Sequence, residues 1–418
     1  MHQNAEAVSH DAYVNGWGPP YQEPDVSEIK IENLKMVKQL DAERISSNVG
    51  PWVNWLLKPP GISQGVPWLE HNRTEGKPYL VYETQIQQPA KYRADFPLRL
   101  VALASIQDWD WISWHYFASG DDVGLVERPF DKPMDITTGK HPQGYHYTYD
   151  EVQNSTMRAA AFMFRHELLN KAPNPTKFIY GRKSLYAPES MVYAGSYGVK
   201  GMDMFQTTYQ YGVRIEIDPS REEDEVIGPV VSFADRKTHN PYTPTDEIVF
   251  DWKKGYLKMD APGAVSFTGL LANYGKEVSF KNGVVLKDVS FNNPEGIFSP
   301  MDEKEGYMAF ALNTDDGKSL AETKKASVSL VSTSFNTGFD APRDTFFKDN
   351  KVIEGTIKAG GLPVLTVRVG GTIQSAALKG MNYKFRDWHF QEIGSGKIEG
   401  DQLVIPNDKP IFFVELTR

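Results

Sequence analysis

Gly76-Lys77-Pro78-Tyr79-Leu80-Val81-Tyr82-Glu83 decides how the first half of this chain is read. The octapeptide opens on a glycine and a proline, runs through apolar and aromatic residues that favour extended backbone, and ends on a carboxylate. Buried parallel strands read as short apolar runs of this kind. A surface strand ending on a solvated glutamate reads the same way, so the following residues carry the distinction. Tyr92-Arg93-Ala94-Asp95-Phe96-Pro97 leads into a helix over 94–106, with Leu98, Val101, Ala102 and Ile106 apolar and Pro97 tolerated in the first turn. Gln107-Asp108-Trp109-Asp110 then precedes an aromatic strand over Trp111–Phe117. The order is carboxylate-ended strand, helix, aromatic strand.

Composition sets the outer bounds. A chain of 418 residues has room for two or three domains with their own cores. Its 40% hydrophobic and 24% charged residues are ordinary for a globular protein. Aromatics are plentiful, with 9 Trp, 20 Tyr and 22 Phe, and such side chains suit the flat apolar faces of sugar rings as well as β-sheet cores. A net charge of −9 argues against nucleic acid as a partner, because phosphate binding needs a basic face. With no cysteine in the chain, disulfides and thiolate metal sites are excluded. No apolar run is long enough to span a membrane as a helix. Met1-His2-Gln3-Asn4-Ala5-Glu6 has neither the basic region nor the apolar core of a signal peptide, so a chain complete as it stands reads as cytoplasmic.

The run Gly76 to Glu83, the Tyr92-Arg93 pair and Gln107-Asp108-Trp109-Asp110 resemble strand 7, helix 7 and strand 8 of the retaining (β/α)8-barrel glycoside hydrolases. That clan includes cellulases, mannanases and agarases, and the likeness is nearest to large bacterial enzymes with β-domains behind the barrel. The resemblance implies that Glu83, at the end of strand 7, is the catalytic nucleophile. Active sites of such barrels lie at the C-terminal ends of the strands. On the same resemblance the strand over residues 4–13 is strand 6, Tyr13 orients the nucleophile, and His10 and Asp11 stand beside it. The spacing departs from the commoner His-x-Tyr, so a purely structural role for His10 stays open. Trp114 is the expected sugar platform at the end of strand 8, with Tyr116 on the same face of that strand. No cofactor is implied. His141 and His146 could be read as metal ligands, but no carboxylate or third histidine stands at ligand spacing.

Between these strands, Ser27 is expected to cap a helix over 28–43, and a Trp-, Pro- and Gly-rich loop fills 46–70. After strand 8 comes a polar loop over 118–150, then a helix capped at Asn154 or Ser155 and ending at Asn170. From about Phe178 the pattern changes to short alternating runs, including Val213–Ile217, Ile248–Trp252, Ala309–Leu312 and Val364–Val369. Asn282-Gly283 and Asp316-Gly317 mark hairpins. The expected fold is therefore a partial (β/α)8 barrel over 1–175 followed by a β-sandwich or jelly-roll region over 176–418, able to fold on its own.

The expected function is retaining hydrolysis of a polysaccharide or oligosaccharide. That mechanism needs two carboxyl groups about 5–5.5 Å apart. In the clan the acid/base is a glutamate after an asparagine on strand 4, and this chain holds no Asn-Glu dipeptide. The chain is therefore expected to begin near strand 6. The acid/base half of the barrel would be missing from it, leaving it inactive alone. The resemblance makes the full-length protein secreted or periplasmic. The alternative is a non-catalytic carbohydrate-binding or structural β-rich protein.

Overall fold

A computed structural model describes residues 7–14, 73–86, 92–114, 150–186, 204–231, 245–251, 254–297, 306–339 and 361–418. The predicted helix over 28–43, the Trp-rich loop, Tyr116, His141 and His146 lie outside them.

Three strands near the start, β1 (Val8–Val14), β2 (Tyr79–Ile86) and β3 (Trp111–Trp114), form a parallel sheet in that order. Helix α1 (Phe96–Gln107) connects β2 to β3, preceded by a 3-10 turn at Arg93–Asp95. Parallel neighbours need such a crossover, which is why a strand, a helix and a strand follow one another here. α1 is buried almost all round, so its apolar residues do not stripe one face. It ends on Asp108, whose backbone is left-handed at φ 57° and whose N–H satisfies the carbonyls of Ala104 and Ser105.

Helix α2 (Glu151–Arg165) begins three residues before the earliest predicted cap. Asp150 is the cap, accepting from the Gln153 N–H at 3.1 Å, and Arg93 holds the same carboxylate. Asn154 and Ser155 instead sit inside the first turns. Beyond α2, β4 (Thr176–Tyr180) lies between β5 (Val213–Ile217, parallel) and β6 (Glu225–Ile227, antiparallel) in a small separate sheet. Its cluster of Phe178, Tyr180, Val213 and Ile215 is the smallest in the molecule's described part.

The remainder is antiparallel, as the alternating runs predict. β7 (Ile248–Asp251), β8 (Tyr256–Ala261), β9 (Ala264–Leu270), β10 (Val278–Ser279), β11 (Val285–Asn292), β12 (Tyr307–Thr314) and β13 (Lys325–Val331) follow in turn. Then come β14 (Ser334–Thr337), β15 (Gly361–Thr366), β16 (Arg368–Gln374), β17 (Asn382–Arg386), β18 (Glu392–Lys397), β19 (Gln402–Ile405) and β20 (Phe413–Thr417). An eight-stranded sheet runs β18-β17-β20-β13-β12-β9-β8-β7, and a four-stranded sheet runs β10-β11-β16-β19. The hairpin signals hold: Gly283 and Gly317 both adopt positive φ, at 80° and 74°, in the turns entering β11 and leaving β12.

The two sheets share one apolar layer. Val265, Phe267, Met308, Phe310, Leu312, Val328 and Leu330 of the larger sheet meet Leu286, Val369, Ile373, Leu403 and Ile405 of the smaller one. Alternation sends the intervening residues to the opposite face, and that face is buried too. Leu257, Met259, Ala264, Leu270, Tyr307, Ala309, Ala311 and Val331 pack in one cluster with α1, α2, Tyr79 and Val81. Small side chains let α2 approach closely: Ala159 and Ala160 on the helix, Ala309, Ala311 and Ser329 on the sheet, with Ser329 Oγ donating to the Ser155 carbonyl at 2.6 Å. The boundary predicted at 175/176 thus falls between elements whose side chains share a core.

The protein is mostly β, with several antiparallel sheets.

Candidate functional site

Register across the three parallel strands sets several of the predicted residues on neighbouring strands. Register pairs His10 with Val81, Asp11 with Glu83, Ala12 with Thr84 and Tyr13 with Gln85. Asp11 and Glu83 are therefore direct neighbours across adjacent strands, whose backbones run about 4.8 Å apart. The other neighbour, β3, pairs Thr84 with Trp114. Asp11 and Glu83 thus lie side by side, each three residues before the end of its strand, and not at a strand end as the sequence predicts for Glu83; Trp114 is the last residue of β3.

A bulge aims the glutamate. Between Val81 and Glu83, β2 advances two residues while β1 advances one, from His10 to Asp11. Against β3, β2 takes three steps from Val81 to Thr84 while β3 takes two, from Ile112 to Trp114. The extra residue lies at Tyr82–Glu83 on both sides. Burial follows it: Tyr79, Val81 and Thr84 are 0% exposed, whereas Tyr82 is 47% exposed and Glu83 is half-buried. Tyr82 therefore reaches solvent, and Glu83 beside it is partly covered. Bulges are uncommon between parallel strands and re-aim a side chain where they occur. Sequence reasoning had no access to this register.

Trp114 is half-buried, its ring edge-on to Phe96 with centroids 6.1 Å apart at 80°. Part of the indole therefore packs on α1. Trp111 at the start of β3 is far more exposed, at 59%.

The Gln107–Asp110 run sits at the other end of the sheet and fastens it. Asp110 Oδ2 accepts from the Tyr79 N–H at 2.8 Å, and the Asp110 N–H donates to the Tyr79 carbonyl at 3.1 Å. Arg73 reaches Asp110 at 3.5 Å, and Gln107 Oε1 accepts from the Val213 N–H at 2.7 Å. Trp109 is buried beside Tyr79, with ring centroids 5.6 Å apart.

A buried charge cluster, of which the sequence had flagged only Arg93, lies beneath α2. Arg93 donates from Nε to Asp150 at 2.8 Å and from Nη1 to the Ser334 carbonyl at 3.1 Å; its Nη2 also binds Ser334 Oγ. Glu151 Oε1 is 3.9 Å from Arg93 Nη2 and accepts no hydrogen bond. Burial pushes the Glu151 carboxyl up to about 7; Arg93 opposes the shift and Asp150 adds to it. An aspartate immediately ahead of an apolar helix is the signal that could have located Asp150.

Among the described residues no group of three or more His, Asp or Glu converges as a metal site, and no helix is long and apolar enough to cross a membrane. No family model matches the chain, and no curated protein or solved structure matches it.

Proposed function

We propose that this chain is the C-terminal part of a retaining glycoside hydrolase that degrades a polysaccharide, with Glu83 as its nucleophile. The observation that carries the reading is the bulge at Tyr82–Glu83, which sets Glu83 in register with Asp11 of β1 and next to the Thr84–Trp114 pair. The reading takes β1, β2 and β3 as strands 6, 7 and 8 of a (β/α)8 barrel, consistent with their parallel order and with α1 between β2 and β3. Glu83 attacks the anomeric carbon and forms a glycosyl-enzyme while the leaving oxygen takes a proton from a second carboxyl group. That acid/base belongs to the barrel half that precedes this chain in the full-length protein, which the same reading makes secreted or periplasmic. Tyr13 orients the nucleophile, Asp11 is among the substrate contacts, and Trp114 stacks on the sugar that is cut. His10 and Tyr116 complete the substrate contacts.

The test is Glu83→Gln in the full-length protein, assayed on a range of neutral polysaccharides. Turnover should fall by about 10³-fold or more while substrate affinity stays close to that of the parent, because shape is kept and the nucleophile is lost. Near-parental turnover in the variant would move the nucleophile elsewhere. A full-length parent that binds polysaccharide without cleaving it would favour the second reading, a non-catalytic carbohydrate-binding protein.

A further inference from the structure

A cleft of about 420 Å³ opens between α2 and the turn joining β17 to β18, at the smaller end of the range for small-molecule sites. Its sides are apolar and mostly aromatic, with Met157 and Ala161 contributed by α2 and Trp388, Phe390, Phe412 and Phe413 by the strands and their turn. The rings are held in pairs: Trp388 stacks on Phe412 with centroids 5.5 Å apart at 14°, and Phe390 on Phe413 at 5.4 Å and 29°. Phe390 is 47% exposed and holds a left-handed backbone at φ 63°, a conformation that bulky side chains rarely adopt. The turn fastens it there, with the Phe390 N–H donating to the Asp387 carbonyl at 3.0 Å and the Gln391 N–H to Asp387 Oδ1 at 2.8 Å. Such a wall suits an apolar body and offers a hydroxyl-rich one no partners.

One cation stands at this cleft without a hydrogen bond. Arg158 lines it among three rings, 4.5 Å from the centre of Phe413, 5.6 Å from Phe390 and 5.4 Å from Phe162. Stacking occupies the flat faces of a guanidinium and leaves its N–H edges for an acceptor lying in its plane. Among the described residues Arg158 donates to none. The carboxylate beside it, Asp315, stays 3.7 Å away and accepts instead from Ser327 Oγ at 2.8 Å. Of the Arg158 nitrogens only Nε is buried without a partner, and the side chain is 36% exposed, so the two Nη groups are the ones a ligand can reach. Arg165, seven positions on and therefore on the same face of α2, is exposed and also pairs with no carboxylate among the described residues. The acids of the lining are held elsewhere: Glu151 faces Arg93 beneath α2, and Asp387 belongs to its own turn.

We infer that this cleft binds a small aromatic monocarboxylate, its ring against the Trp388–Phe390 wall and its carboxylate on the Nη donors of Arg158. A flat ring extends the stacked pairs already in place, and charge-assisted bonds to the guanidinium edge fix which end faces α2. The site does not involve Glu83 and does not rest on the glycoside hydrolase reading.

The experiment is isothermal titration of the full chain with 2-naphthoate, its uncharged amide 2-naphthamide, and octanoate, repeated on two variants. The parent should bind 2-naphthoate about tenfold or more tightly than either of the others, the value of a hydrogen bond to a charged group. Arg158→Met keeps an apolar side chain on α2 and removes the donors, and it should bring 2-naphthoate and 2-naphthamide level. That readout is a ratio of two ligands on one protein, so lost stability alone does not imitate it. Ala161→Trp fills the cleft from an exposed helix position and should weaken both aromatic ligands about tenfold, with Tm little changed. No binding of 2-naphthoate, parity with the amide in the parent, a preference kept in Arg158→Met, or binding that survives Ala161→Trp would each overturn the inference. Tighter binding of octanoate would overturn the choice of an aromatic ligand.

Discussion

Arg93 and Asp150, far apart in sequence, form an ion pair at 2.8 Å with side-chain exposures of 0% and 2%. The pair joins three elements at once: the turn before α1, the N-terminus of α2, and β14 through Ser334. Both partners are also hydrogen-bonded elsewhere, as a buried pair must be to offset its desolvation.

Removing one partner strands the other charge. Arg93→Met should lower stability by about 3–5 kcal/mol, and Asp150→Asn somewhat less because the amide still caps α2. The double variant should cost clearly less than the sum of the two, read from urea unfolding. Strict additivity would mean that the two side chains are not coupled.

Glu151 gives the fold a pH dependence. Its carboxyl titrates at about 7 in the folded chain against an ordinary 4.5, with burial the largest cause, Arg93 opposing and Asp150 adding. The folded state therefore keeps a proton that the unfolded state has lost between those values. Stability is unaffected by this group below about 4.5, falls as pH rises through the window, and is lower by roughly 3 kcal/mol above 7. Glu151→Gln should flatten the Tm profile over that range and be the more stable form at pH 8. An unchanged slope in the variant would place the titration elsewhere.

Trp114 is half-buried, with Phe96 as a packing partner. Trp114→Ala should cost about 1–2 kcal/mol of stability, less than a fully buried ring, through its lost contact with Phe96. In the full-length protein it should also weaken substrate affinity and turnover together, with Trp114→Phe recovering part of both. A drop in Tm with unchanged kinetics would confine the indole to packing.

The shared core sets the outcome of truncation. A fragment over 176–418 loses α1 and α2 and uncovers Ile248, Phe250, Leu257, Met259, Tyr307 and Val331 on one face of the eight-stranded sheet. Such a face is far larger than the apolar patches soluble monomers leave open. The isolated fragment should bind a hydrophobic dye and aggregate, and limited proteolysis of the whole chain should not release it as a resistant core. A monomeric, cooperatively folding fragment would show that the four-stranded sheet alone sustains the sandwich.

Much of the local structure was legible because its causes are local. The apolar run from Tyr79 makes a strand, Leu98 to Ile106 makes a helix, and Asn282-Gly283 and Asp316-Gly317 turn the chain through positive φ. Each depends on residues within a few positions of one another. The start of α2 was missed because Asp150, Asn154 and Ser155 are all good caps, and only Arg93 selects among them.

The β-half was expected to fold alone because alternation in sequence reports which residues share a face, not what covers that face. In β12 the runs Met308, Phe310, Leu312 and Tyr307, Ala309, Ala311 both turned out buried, one under the small sheet and the other under the helices. Sequence by itself determined many of the strands and the hairpins, but β2 runs on to Ile86 where the octapeptide reads as a strand ending on Glu83. Tertiary structure decided the bulge at Tyr82–Glu83, the pairing of Arg93 with Asp150 and the shift at Glu151. Register, burial and charge environment come from residues tens to hundreds of positions away, and only the folded chain brings them within reach of one another.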